Sequence, residues 1–256
     1  MVVPHVPEDA HTTHTNSVEI SVVAPVYNES EGIEQVLRYW AKVISERNLN
    51  CEIVLANDGS TDSTLQILER LAAEIPALRF VSYTPNRGYG FALKRAIQAS
   101  TGQMIVTLDS DGQFDLADLP ALLKLYRDKQ LDFVTGYRMK KKDNFVRVLA
   151  DRGLNLIVRG LFWINLRDTN CAMKLIRGDL ARGLNIEARG YPTPTEITVK
   201  LLAMGAKTAE EGVHHTDRIA GQSKLKVLKT SISTFRFLLY LRRKIKLYRA
   251  GILQSL

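Results

Sequence analysis

The sequence has only two cysteines, Cys51 and Cys171, far apart in a chain of 256 residues. It therefore offers no disulfide framework and no zinc site by spacing, and reads as a reduced, cytoplasmic chain. Long apolar runs are also lacking. None approaches the roughly 18–20 residues needed to cross a bilayer, so the expectation is a soluble or peripheral protein. Met1 to Ser17 is polar, carries three of the five histidines and lacks the basic-then-apolar order of a signal peptide. Residues 1–17 read as a mobile leader. Acid is missing from the other end: residues 221–256 hold nine Lys or Arg and no Asp or Glu. Since 26 basic residues face 27 acidic ones in residues 1–220, the formal charge of +8 belongs to the tail. A basic tail suits nucleic acid, acidic protein or anionic lipid, and charge alone does not choose among them.

With 45% hydrophobic residues, there is enough apolar material for one sizeable domain over 18–222 and a tail over 223–256. Short apolar, β-branched runs alternate with stretches at helical spacing. Strands are expected at Glu19–Pro25, Cys51–Ala56, Arg79–Tyr83, Met104–Leu108 and Leu131–Gly136. Helices are expected at about Ile33–Arg47, Thr61 or Asp62 to Ala73, up to Ala99, and Ala117–Lys129. Strand then helix at intervals of about 25 residues means a parallel sheet with right-handed crossovers.

Met104-Ile105-Val106-Thr107-Leu108 ends abruptly in Asp109-Ser110-Asp111-Gly112-Gln113. Residues at i and i+2 of an extended chain point the same way, so both carboxylates and the Gln113 carbonyl can share one cation. Oxygen ligands favour Mg²⁺ or Mn²⁺, which keep positions open for phosphate oxygens. Alone, the pair reads first as a solvated turn with a helix cap, and the rest of the sheet tips it the other way. Two other strand ends carry polar groups to the same edge, namely Tyr27-Asn28-Glu29 and Asn57-Asp58. Ligands in open α/β sheets collect beyond strand carboxyl ends, and this pocket suits a nucleotide diphosphate.

Gly88-Tyr89-Gly90-Phe91-Ala92, with Asp109 about 20 residues on, imitates a dinucleotide fingerprint. It follows the third strand, whereas the fingerprint belongs to the first strand–helix turn, and the glycines read as a tight loop near a donor. His214 and His215 read as surface or hydrogen-bonded residues rather than catalytic ones. Lys140 to Lys142 form either a solvated loop or a guide for an anionic acceptor. Glu196 begins a helix whose dipole stabilises an acid there, or it serves the reacting centre. Asp168 has the same two readings, as acceptor within its own loop or as a reacting group.

Taken in order, Pro25-Val26-Tyr27-Asn28-Glu29, Asn57-Asp58-Gly59-Ser60-Thr61-Asp62, Asn86-Arg87-Gly88, Asp109-Ser110-Asp111-Gly112-Gln113 and Gly136-Tyr137-Arg138 resemble the family 2 glycosyltransferases with the GT-A fold. Asp168-Thr169-Asn170-Cys171-Ala172-Met173-Lys174-Leu175 and Asp217-Arg218-Ile219-Ala220-Gly221-Gln222-Ser223-Lys224-Leu225 narrow the likeness to the polyprenyl-phosphate branch, typified by dolichol-phosphate mannosyltransferase. The resemblance implies an α/β protein: a single GT-A (Rossmann-like) domain with a mostly parallel sheet flanked by helices, plus a C-terminal basic amphipathic helical tail. It implies Pro25, Tyr27, Glu29 and Asp58 as nucleoside-binding residues, with Asn57 and Asp109 beside them, and Asp109, Asp111 and Gln113 as the metal set. Arg138 and Arg218 match phosphate-contacting arginines, with Lys224 as a third cation. Asn57 departs from the family's usual Asp, which weakens inference about the base.

The implied reaction is inverting transfer of a sugar from a UDP- or GDP-sugar to polyprenyl phosphate. A phosphate monoester is already ionised and needs no general base. The alternatives are transfer to a hydroxyl with Asp168 or Glu196 as base, and a non-enzymatic basic-tailed interaction module. In the tail, Leu225, Leu228, Ile232, Phe235 and Leu239 fall at helical spacing, extended by Leu238, Leu241 and Ile245, among many Lys and Arg. This helix either packs on the domain or lies along the cytoplasmic face of an anionic membrane.

Overall fold

Strand β1 (Ile20–Val26) is buried at every position because the sheet has helices on both faces. Successive residues serve opposite layers: Val22 and Ala24 pack on one side, Val23 on the other. The computed structural model describes residues 18–139, 145–219 and 227–256, with side chains at 18–139, 153–219 and 232–256. The leader 1–17, the Lys140–Lys142 run and Lys224 lie outside the described residues.

Helix α1 (Ile33–Glu46) buries Ile33, Val36, Leu37, Trp40, Val43 and Ile44, the stripe predicted from their spacing. Each such side chain contributes about 1.5–3 kcal/mol of burial. With α1 on one face lie α2 (Thr64–Glu74) and α4 (Leu119–Asp128), whose Leu68, Leu71, Leu119 and Leu122 join the same core. The opposite face carries α3 (Tyr89–Ala99), α6 (Gly178–Gly183) and α7 (Thr193–Ala203), through Leu93, Ala96, Ile97, Ala181, Ile197 and Leu201.

The remaining strands are β2 (Cys51–Asp58), β3 (Leu78–Tyr83), β4 (Met104–Thr107), β5 (Phe133–Arg138), β6 (Lys174–Arg177) and β7 (Thr208–Val213). They stand in the order β3-β2-β1-β4-β6-β5-β7. β1 pairs in parallel with β2 and β4, so the chain reverses its direction of travel between β1 and β4, where ligands bind in such sheets. One strand departs from the expected parallel run: β6 is antiparallel to both β4 and β5. Its amino end, and the 168–173 segment before it, therefore lie at the edge where β1, β2, β4, β5 and β7 end. β2 runs two residues beyond its expected end and β5 finishes at Arg138, so Asn57, Asp58 and Arg138 are strand residues rather than loop residues. α4 starts at Leu119 after a short 3-10 turn, Leu116–Asp118, whose preceding Asp115 accepts from Ala117 N at 2.8 Å.

Beyond the expected alternation, α5 (Phe145–Phe162) is a helix following β5. It packs with α7 and the tail helix α8 (Val227–Arg249) around Leu154, Val158, Val199, Leu238, Leu241 and Ile245. The apolar residues of α8 thus divide: Leu238, Leu241 and Ile245 are buried, while Ile232, Phe235 and Leu239 face solvent. Polar contacts also tie α8 down. Glu187 accepts from Lys200 Nζ and Lys244 Nζ, each at 2.7 Å, and from Tyr240 Oη at 2.9 Å. Burial alone would raise the Glu187 carboxyl, but the hydrogen bonds from Lys200 and Lys244 outweigh it and hold it at about 2.

Candidate functional site

A cleft of about 460 Å³ opens at the carboxyl ends of the strands. Pro25, Tyr27, Glu29, Asp58, Asp109, Asp111, Gln113, Arg138 and Arg218 line it. Residues taken from five stretches of sequence therefore meet in one place.

One end of the cleft is built by two laced loops. Asn28, with φ at 51°, donates from its backbone to Ser60 Oγ at 3.0 Å, and its Oδ1 accepts from Thr61 N at 2.8 Å. Glu29 N donates to Thr64 Oγ1 at 3.0 Å. Asp58 accepts from Arg87 N on one carboxylate oxygen and Gly88 N on the other, both at 2.8 Å. The Asp58 carboxylate thus fixes the 86–88 loop while bordering the cleft. Asn57 is placed differently from the expected nucleotide contact. It is buried, donates to Ser82 Oγ at 3.0 Å, accepts from Ser60 Oγ at 2.6 Å, and lies outside the cleft lining.

At the centre, Asp109 accepts from Tyr89 Oη at 2.8 Å, and Asp111 accepts from Gln113 N at 3.1 Å. Burial and the nearby Asp111 charge push the Asp109 carboxyl up to about 7. Arg218 Nη2 meets Asp111 Oδ2 at 2.9 Å, with its Nη1 3.9 Å from Glu29. Two carboxylates and an amide of this kind form a hard-oxygen set. Asp109, Asp111 and Gln113 fit a divalent cation.

Arg218 is delivered by the segment after β7, which is stitched to the 109–113 loop. Thr216 N donates to Gln113 O at 2.9 Å, Gln113 Nε2 to Thr216 O at 3.2 Å, and Ile219 N to Asp111 O at 3.3 Å. His215 bridges Phe114 and packs edge-on to its ring. Gly112, at φ 75°, holds a left-handed backbone that any larger residue would strain.

Arg138 and Asp168 form a fork, Nε to Oδ2 at 2.7 Å and Nη2 to Oδ1 at 3.1 Å. Arg138 borders the cleft; Asp168 is buried behind it and does not. Beneath the 168–171 segment, the fully buried Lys174 donates to Thr135 Oγ1 at 2.8 Å and Thr169 O at 3.3 Å. Burial pushes its ammonium down to about 8. Glu196 is likewise removed from the cleft: it is fully buried, accepts from Glu187 N at 3.0 Å and Ala188 N at 2.8 Å, and pairs with Lys200 at 2.7 Å. Tyr89, Asn170, Tyr191, Pro194 and His215 line the cleft without having been singled out as site residues. No spacing rule brings them together, because they come from α3, the segment before β6, α7 with its preceding turn, and the segment after β7.

A family model described as glycosyl transferase family 2 matches residues 21–179. The chain is 27% identical over 216 residues to a dodecaprenyl-phosphate galacturonate synthase of Rhizobium johnstonii, covering 84% of this chain and 64% of that protein. It is 28% identical over 212 residues to an undecaprenyl-phosphate 4-deoxy-4-formamido-L-arabinose transferase of Pectobacterium atrosepticum, covering 82% and 63%. The chain spans just under two thirds of the length of these relatives. Among solved structures, glucosyl-3-phosphoglycerate synthase of Mycobacterium tuberculosis with phosphoglyceric acid aligns at a TM-score of 0.67 and 21% identity, over 87% of this chain and 79% of that one. Its complex with Mn²⁺, UDP-glucose and phosphoglyceric acid aligns at 0.62 and 23%, over 93% and 81%. These likenesses are of fold, and the fold is the mostly parallel GT-A arrangement implied by the sequence motifs.

Proposed function

Because the chain belongs to glycosyl transferase family 2, we propose that its cleft transfers a sugar from a nucleotide-diphosphate sugar to the phosphate of a polyprenyl phosphate, with inversion at the anomeric carbon. The observation that carries this reading is the engagement of both acids named above as general-base candidates. Asp168 is forked to Arg138 and Glu196 is paired with Lys200 and two backbone amides, neither of them in the cleft lining. A hydroxyl acceptor needs a base as it attacks, whereas an ionised phosphate oxygen needs only to be held in line. Relatives whose names carry dodecaprenyl-phosphate and undecaprenyl-phosphate support the same acceptor class.

In this reading, Tyr27, Glu29 and Asp58 hold the nucleoside at the laced loops. A divalent cation held by Asp109, Asp111 and Gln113 would supply Lewis-acid charge for the departing diphosphate. Arg218 gives fixed positive charge at the same end of the cleft and Arg138, oriented by Asp168, holds the acceptor phosphate. The acceptor oxygen bonds to the anomeric carbon as the bond to the β-phosphate oxygen breaks, and the nucleotide diphosphate departs with that electron pair.

The acceptor is a lipid, and the proposal includes docking on the cytoplasmic face of a membrane through 224–256. No helix among the described residues is long and apolar enough to cross a membrane. The solvent-facing Ile232, Phe235 and Leu239 of α8, with Leu156 on α5 and Trp163 just after it, supply apolar side chains to an interface, among many Lys and Arg on α8. Turnover with a panel of UDP- and GDP-sugars, polyprenyl phosphate and Mn²⁺ tests the reaction. A polyprenyl-phosphate monosaccharide is the expected product; sugar transfer only to hydroxyl acceptors would overturn the reading.

A further inference from the structure

We propose that Tyr89 is a positioning residue that fixes which oxygen of Asp109 is presented to the cation, an inference that rests on the metal assignment above and deepens it. The Tyr89 phenol borders the cleft and donates to Asp109 Oδ1 at 2.8 Å. Carboxylate torsions are broad and roughly two-fold, so Asp109 at a strand end has no intrinsic reason to keep one orientation. A donor on Oδ1 removes that freedom and leaves Oδ2 for the cation.

What holds Tyr89 in place is the glycine pattern on either side of it. Gly88 sits at φ 96°, and a Cβ there would lie 2.5 Å from Arg189 O; at Gly90 a Cβ would lie 1.8 Å from Ala188 O. The start of α3 is therefore pressed on the 188–189 backbone at a distance that only glycine permits. That backbone is itself fixed, since Ala188 N donates to the buried Glu196 and Ala188 O accepts from Thr193 Oγ1 at 3.3 Å. Gly88-Tyr89-Gly90 thus has a use unrelated to dinucleotides. It seats one phenol against one carboxylate, and Glu196 braces the seat from behind.

The test is Mn²⁺ binding followed by electron paramagnetic resonance, with UDP and GDP present in parallel samples. Tyr89→Phe keeps the ring and removes only the donor. Tyr39→Phe is the control, because it removes a comparable phenol–carboxylate bond, to Asp115 at 2.6 Å, outside the cleft lining. Loss of the partner that orients a metal ligand typically weakens binding about 10–100-fold, and that range is expected for Tyr89→Phe. Tyr39→Phe should bind as the wild type does, and thermal melting should be alike in all three. Wild-type affinity in Tyr89→Phe, or equal weakening in both variants, would overturn the proposal while leaving the metal assignment standing. Mn²⁺ binding that is the same in wild type and Asp111→Asn would overturn both.

Discussion

Arg218 and Asp111 lie 107 positions apart in sequence, yet the Arg218 guanidinium meets Asp111 Oδ2 at 2.9 Å inside the cleft. The contact joins the segment after β7 to the loop after β4. It also keeps a buried carboxylate balanced, with Glu29 as a more distant partner of the same guanidinium at 3.9 Å.

Asp111→Asn keeps the shape of the side chain and removes its charge. Turnover should fall by more than about 100-fold, at or beyond the range for losing even a partner of a metal ligand, and excess Mn²⁺ should not restore it. Circular dichroism and melting should stay near wild type. Full activity of this variant in excess chelator would remove the metal from the reaction.

Arg138→Lys preserves a charge for Asp168 but not the fork. Each hydrogen bond to a charged group is worth about 1.5–3 kcal/mol, so kcat/KM for the lipid phosphate should drop roughly 10–100-fold. Calorimetric affinity for the nucleotide sugar should hold. If donor affinity collapses instead, Arg138 serves the other half of the site.

Glu196→Gln separates brace from base. The amide still accepts from the 187–188 backbone, so a substantial part of kcat should survive at temperatures well below melting, with the melting temperature lowered because Lys200 loses a buried charge partner. A fall of several orders of magnitude in kcat with unchanged melting would instead make Glu196 a chemical participant.

Acid should loosen the tail helix through Glu187. Its folded carboxyl sits at about 2, below the ordinary 4.5 of a glutamate, so its stabilising effect is present above about 4.5 and is lost as pH falls from there to about 2. Glu187→Gln should melt about 2–4 °C lower than wild type at pH 7, as for a net loss of about 1 kcal/mol. That difference should shrink steadily between those two pH values. A constant difference across the window would mean that the carboxylate charge is not what ties α8 down.

Ile232, Phe235 and Leu239 are exposed, so changing all three to Ser should leave melting nearly unchanged. Flotation with anionic vesicles should show at least about tenfold weaker binding, since burying one such side chain is worth about 1.5–3 kcal/mol. Equal flotation would leave the outer face of α8 without a lipid role.

Sequence by itself determined the alternating elements and the apolar stripe of α1, because burial follows the 2.0 and 3.6 periods that side-chain geometry imposes. It also determined where hard oxygen ligands fall, since Asp109, Asp111 and Gln113 are close along the chain. Only the tertiary structure decided the roles of residues whose partners are remote. Asn57 and Asp58 are neighbours with similar side chains, yet one braces a turn and the other borders the cleft, because successive strand residues face opposite ways and different loops meet each face. Asp168 and Glu196 looked equally available as bases until packing supplied Arg138 and Lys200. Tyr89 carried no chemical signal in its own neighbourhood; its role arises from a carboxylate 20 residues away and a backbone about 100 residues away. α8 shows the same limit, since hydrophobic spacing marks a helix but cannot say which of its apolar residues find a neighbour. Leu238, Leu241 and Ile245 found α5 and α7, and Phe235 and Leu239 did not.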